Sequence, residues 1–175
     1  MKKTHFLLSL SLFLLSFAFL PNAFGQQYAQ VGSGGVGLRI GGLSSGISAK
    51  YFFRDDLAVE GILGTSFGRR GFQFTALFEQ HMPITKIEGL YWFFGGGGHV
   101  GAYKGRYYYD RSNKHFQKSY DKTLATVGID GIIGLDYKIA ELPLSVGVDF
   151  KPFLDANQDG FFLYGDGALT IRYTF

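Results

Sequence analysis

From Gly165 to Phe175 the chain alternates: Gly167, Leu169, Ile171, Tyr173 and Phe175 fall on one side of an extended segment, Asp166, Ala168, Thr170, Arg172 and Thr174 on the other. An arginine facing away from a stripe of aliphatic and aromatic side chains suits a wall with lipid outside and a polar lumen inside. The same two-residue period recurs in seven earlier segments bounded by turn residues, at 33–42, 46–53, 57–65, 71–80, about 89–103, about 124–137 and 143–152. Eight such strands predict an all-β fold, an eight-stranded antiparallel up-and-down transmembrane barrel.

The face opposite the apolar row carries the charge. Arg39, Lys50, Glu60 and Glu79 fall on it in the first four segments; His99, Asp130, Asp136, Asp149, Lys151, Asp166 and Arg172 fall on it in the last four. An interior of eight strands is just wide enough to be filled by its own side chains, so mixed signs predict an internal ion-pair network and a plugged lumen. If Phe53 faces Leu57 across the Arg54-Asp55-Asp56 turn, Lys50 stands opposite Glu60; a turn centred on Ala140 and Glu141 would set Lys151 opposite Asp130.

Parity orients the wall. With both ends on the periplasmic side, connections 54–56, 81–88 and 138–142 fall there, and 43–45, 66–70, 104–123 and 153–162 fall outside. Tyr51, Phe53, Phe78, Trp92, Tyr137, Tyr173 and Phe175 then form one interfacial girdle, and Phe72, Tyr103, Phe150, Phe162 and Tyr164 a second near the outer ends.

The chain's beginning names the compartment. Lys2 and Lys3 precede an apolar stretch from Phe6 to Leu20, and Ala23-Phe24-Gly25 supplies the small residues of a cleavage site, so residues 1–25 read as a secretory signal and 26–175 as one barrel domain. The chain has no cysteine, which excludes disulfides. Removing the two lysines from seventeen basic residues leaves fifteen against fourteen acids, so the balance implies no nucleic-acid partner.

Four motifs bear on chemistry. Gly95 to Gly98 lack the Gly-Lys-Ser/Thr ending of a phosphate loop. His81 falls in an expected turn, His99 in the lumen and His115 in an outer loop, with no Gly-x-Ser-x-Gly elbow; no enzyme activity and no cofactor are expected. Asp155, Asn157, Asp159 and Asp166 match part of a calcium loop, although the twelfth position wants glutamate and a polar turn explains the same letters. The outer 104–122 loop interleaves Arg106 and Arg111 with Tyr107, Tyr108 and Tyr109, a surface for an extracellular protein or glycan, or simply for lipopolysaccharide phosphates.

With these features the chain resembles the small eight-stranded outer-membrane proteins of Gram-negative bacteria, the OmpX-like and OmpA-barrel type. Leu169, Ile171, Tyr173 and Phe175 are similar to that family's assembly signal, which implies recognition by the barrel-assembly machinery. The resemblance implies a cell outer-membrane location, contact with outer-membrane lipid and lipopolysaccharide, a monomer, and a non-enzymatic structural or surface-interaction role. A small passive pore and a soluble secreted barrel carrying an apolar ligand are the alternatives.

Overall fold

A computed structural model describes residues 31–66, 69–104, 124–157 and 160–175. The signal segment 1–25 and the 104–122 loop's Arg106, Tyr107, Tyr108, Tyr109, Arg111 and His115 lie outside the described residues. Eight strands follow in chain order: β1 Gly34–Gly41, β2 Ser45–Phe52, β3 Leu57–Ser66, β4 Arg69–Pro83, β5 Leu90–Lys104, β6 Leu124–Lys138, β7 Leu144–Asn157 and β8 Gly160–Thr174. Each pairs antiparallel with the next, and β1 closes on β8, giving a closed eight-stranded antiparallel barrel.

Period-2 alternation explains how the sheet closes with charge inside. Leu169 is 60% exposed on the outer face while its neighbour on the seam, Arg172, is 2% exposed in the lumen. Val36, Leu38, Ile47, Leu63, Phe74, Val100, Ile129 and Val148 repeat the outward apolar pattern around the wall. Inward glycines make room for large rings on the neighbouring strand: Gly134 faces Phe93 and Gly128 faces His99. On the fifth strand, where both faces carry rings and glycines, Tyr91, Phe93 and His99 turn inward and Phe94 and Val100 outward.

Hairpin geometry sets the registers. Across the Arg54-Asp55-Asp56 turn, Phe53 N donates to Leu57 O, and with Phe53 facing Leu57 the register places Lys50 opposite Glu60. The β6–β7 hairpin is centred one residue later than expected, with Ile139 N donating to Leu144 O. Moving a hairpin centre by one residue moves the register by two. Asp130 therefore faces Phe153, not Lys151.

Three further expectations are corrected. The 153–162 stretch is not a loop: β7 runs through Pro152 to Asn157 and β8 begins at Gly160. Proline lacks the N–H that a ladder needs and so looks like a strand end; here Pro152 interrupts the ladder with β6, opposite Gly131, and the register resumes unchanged beyond it. The longer strands carry parity onward, so Tyr103, whose hydroxyl donates to Gln73 Oε1 at 2.7 Å, is buried inside, and Phe162 and Tyr164 lie on the lumen parity of β8. The exposed outward apolar side chains at that end of the wall are instead Phe72, Phe150, Phe161 and Leu163. His81 is likewise not in a turn but on β4, buried in the lumen.

Candidate functional site

The lumen is the chemically distinctive part of the molecule, and two clusters fill it. In the lower cluster, Lys50 Nζ lies 2.7 Å from Glu79 Oε2, 3.2 Å from Glu60 Oε2 and 3.5 Å from Asp136 Oδ2. Arg172 donates from Nη2 to Glu60 Oε1 (2.6 Å), from Nη1 to Asp136 Oδ2 (3.2 Å) and from Nε to Ser48 Oγ (2.9 Å). Ser48 Oγ in turn donates to Glu60 Oε1 at 2.6 Å. Five strands thus converge on one knot of charge, each supplying one or two side chains from its inward parity.

The upper cluster has two arms. Arg39 donates to Asp149 Oδ1 (2.7 Å), Asp166 Oδ2 (3.0 Å) and Ser44 Oγ (2.8 Å), and Ser44 Oγ donates to the same Asp166 oxygen (2.7 Å). Leu43 N donates to the other Asp166 oxygen at 2.7 Å, so this carboxylate also ties down the turn between β1 and β2. In the second arm, Asp130 takes Lys151 Nζ on one oxygen and His99 Nδ1 on the other, each at 2.6 Å. His99 Nε2 lies 3.5 Å from Asp155 Oδ1. Lys151 reaches Asp130 diagonally, across the two-residue register offset.

Between the clusters, Ile62, Leu77, Phe93 and Ile132 form a buried apolar group. Below, the His81 ring stacks on Phe93 at 4.9 Å and meets Phe52 edge-on at 4.8 Å, while its Nε2 pairs with Glu79 Oε2 at 3.0 Å. Buried charges persist only when paired and hydrogen-bonded, and removing one partner leaves an uncompensated charge. Each ion therefore depends on strands distant in sequence.

Outside the strands, Asp56 accepts a hydrogen bond from Gln80 Nε2 at 2.8 Å. That bond above all, helped by the Arg54 guanidinium, holds the Asp56 carboxyl below the usual aspartate range.

The residues expected in the lumen, Arg39, Lys50, Glu60, Glu79, His99, Asp130, Asp136, Asp149, Lys151, Asp166 and Arg172, are all buried there. Sequence reading missed His81, Asp155 and Ser44, and placed Ser48 on the inner face without a part in the network. The signal for the first two was parity: His81 is the next step after Glu79, and Asp155 lies two steps past Lys151. The calcium arrangement is not formed. Asp155 pairs with Phe162 and Asp166 with Lys151, four positions apart and so ~13 Å along the strand. Asn157 ends β7, and Asp159 lies outside the described residues. Among the described residues no group of three or more His, Asp or Glu side chains is set to hold a metal ion. The ring nitrogens of His81 and His99 face carboxylates, Glu79 for the first and Asp130 and Asp155 for the second.

Leu169, Ile171 and Phe175 lie outward and exposed at the lower half of β8 and just past its end, with Tyr173 half-buried beside them. Phe175 exchanges both backbone hydrogen bonds with Gly34, at 2.9 Å each.

No protein-family model matches the chain, and no curated protein is similar to it. Among solved structures, the crystal structure of the N-terminal β-barrel domain of Pseudomonas aeruginosa OprF is similar over 82% of this chain and 96% of that domain, with a TM-score of 0.51 and 16% identity. At that identity the likeness is one of fold, an eight-stranded antiparallel barrel of the OmpA-like kind that the sequence resembles.

Proposed function

We propose that the protein is an integral outer-membrane barrel without enzymatic activity, whose role is structural or one of surface interaction. One observation carries this reading: large apolar side chains face out around the whole wall while Arg39, Lys50, Lys151 and Arg172 are sealed inside. A soluble barrel has the opposite arrangement, because water rewards outward charge and inward hydrocarbon. An outward apolar band with aromatic borders above a polar interior is the pattern of transmembrane barrels. The likeness to the OprF barrel domain is consistent with it.

The ion clusters and the apolar group between them support a plugged lumen over a passive pore. The lower half of β8 has the alternating form of an assembly signal read by the barrel-assembly machinery, and the outward face would contact outer-membrane lipid and lipopolysaccharide as a monomer. The 104–122 loop would lie on the outside, available to a protein or glycan.

Fractionation tests the location: the protein should stay in the outer-membrane pellet after alkaline carbonate washing. Its release into the wash would sink this reading in favour of a soluble carrier. Planar-bilayer recordings test the lumen, where discrete reproducible openings would favour the pore.

A further inference from the structure

Pro152 marks a weak line in the wall. It lies between Gly131 on β6 and Gly165 on β8, so the three positions on that row contribute one ring between them. The β6–β7 ladder breaks there: pairs run from Val127 against Ala156 to Asp130 against Phe153, and resume only at Ile133 against Phe150. The β1 seam ends close by, with Gly42 N donating to Gly167 O. Residues 153–157 and 160–164 therefore form an upper hairpin that stands on two glycines and a proline and meets β6 through four pairs above the break.

Alternation says which amides belong to those pairs. In an antiparallel strand the N–H and C=O of one residue point the same way, and the direction reverses at the next residue. Ile139 N donates to Leu144 O, so even-numbered β7 residues address β6 and odd-numbered ones address β8. Position 152 addresses β6, where proline has no N–H to give. The Leu154 and Ala156 amides address β6 above the break, and that of Phe150 does so below it.

Inside the lumen one side chain ties the hairpin back. His99, Gly128 and Asp155 stand in register on β5, β6 and β7. Gly128 has no side chain, so the imidazole lies across it and brings Nε2 to 3.5 Å from Asp155 Oδ1, while Nδ1 stays 2.6 Å from Asp130 Oδ2. Both ring nitrogens thus face carboxylates. A neutral imidazole has one N–H and one lone pair, so it serves one carboxylate and turns its lone pair on the other; an imidazolium serves both. With that second proton the local charges balance: Asp130 on β6 and Asp155 on β7 stand against Lys151 on β7 and the ring, Lys151 Nζ lying 2.6 Å from the other Asp130 oxygen. Thr75 faces the ring from β4, Phe153 meets it edge-on at 5.5 Å, and Phe162 on β8 stands opposite Asp155; none of these titrates.

We infer that His99 is a pH-sensitive latch: its imidazolium fastens the upper β7–β8 hairpin to β5 and β6, and loss of the second ring proton frees that hairpin to swing about the Gly131, Pro152 and Gly165 row. Deprotonation leaves two carboxylates to Lys151 alone and makes the contact between Nε2 and Asp155 repulsive. Small residues and a missing backbone hydrogen bond are what a hinge needs. The latch rests on the lumen geometry and holds whether or not the outward face meets lipid.

The test titrates the protein, refolded in micelles, from about pH 6 to about pH 9, below the ordinary range of lysine and tyrosine. Nitrogen chemical shifts of the His99 ring should show two N–H groups at the acidic end and one, on Nδ1, at the alkaline end. Over the same range the exchange protection factors of Leu154 and Ala156, which already discount the intrinsic pH dependence of exchange, should fall by at least about tenfold. Phe150 below the break and Asp155, whose amide faces β8 within the hairpin, should keep theirs. Asp155→Asn offers a neutral ring an N–H donor, so its protection should stay high and flat. His99→Gln carries no charge at any pH; it should show the low value throughout, and it covers the case in which the asparagine variant fails to fold. A ring that keeps one protonation state across the range, or protection indifferent to its titration, would overturn the inference. So would the same pH dependence in either variant, or a loss that includes Phe150, which means the whole wall loosens.

Discussion

The imidazole of His99 lies over the α-carbon of Gly128: a β-carbon built at Gly128 would fall 2.3 Å from His99 Cε1 and 2.2 Å from the Leu154 carbonyl oxygen. No other residue type fits opposite that ring without moving backbone. Gly128→Ala should destabilise the barrel by roughly 1–3 kcal/mol, the usual cost of overpacking. Gly131→Ala, outward and no closer than 3.4 Å to Pro152, should be near neutral. Urea titrations followed by the fluorescence of Trp92, the single tryptophan, would compare them.

Three carboxylates, Glu60, Glu79 and Asp136, share two cations, Lys50 and Arg172. Lys50→Met should cost about 3–5 kcal/mol by leaving buried carboxylates undercompensated. Glu79→Gln brings the count of formal charges level and keeps an acceptor for Lys50, so it should be neutral or stabilising. Equal losses in the two variants, measured by the same urea titration, would contradict the proposed charge balance.

If the outward row of β8 meets hydrocarbon, depth decides the effect of a charge there. Leu169 pairs with Ile40 and Val148 in the middle of the apolar band, whereas Tyr51 lies near its lower border. Leu169→Arg should cost roughly 2–4 kcal/mol in phospholipid vesicles, and Tyr51→Arg roughly 0–1 kcal/mol. The same pair in a soluble barrel would show no such gradient.

The β2–β3 turn supplies a pH prediction. A carboxyl whose folded pKa is depressed contributes stability that is complete above its unfolded pKa and is lost as pH falls through the folded one. For Asp56 the loss should set in as pH falls through the ordinary aspartate range, with the folded carboxyl itself titrating only below it. The Gln80 side-chain amide resonance, which reports the 2.8 Å bond, should stay fixed on acidification from neutral pH and move only there. A shift centred on the free aspartate pKa would refute it.

Much of the wall was legible in the chain because a strand's period is short and local. The Arg39 and Arg172 positions follow from two-residue parity alone, as do the outward Leu38 and Ile171 between which β1 and β8 pair. What was misread lay where a local signal imitated an ending. Pro152 imitates a stop and the polar run 155–160 a loop, so Asp155 reads as part of a polar turn or of an incomplete calcium loop instead of as a partner of His99. β4 runs to Pro83, three residues beyond the 71–80 segment in which alternation is read, and His81 lies in that extension.

Sequence alone therefore determined the faces: which side chains go in, which go out, and how many strands carry them, since alternation needs no knowledge of distant residues. Only the tertiary structure decided who meets whom. Lys50 finds Asp136 and Arg39 finds Asp149 because the sheet curls until strands far apart in the chain share one narrow lumen. The unequal reach of β1 and β8, by which β1 pairs with β8 only from Ala168 to Thr174, is likewise a property of closure, visible only when the first strand is laid against the last.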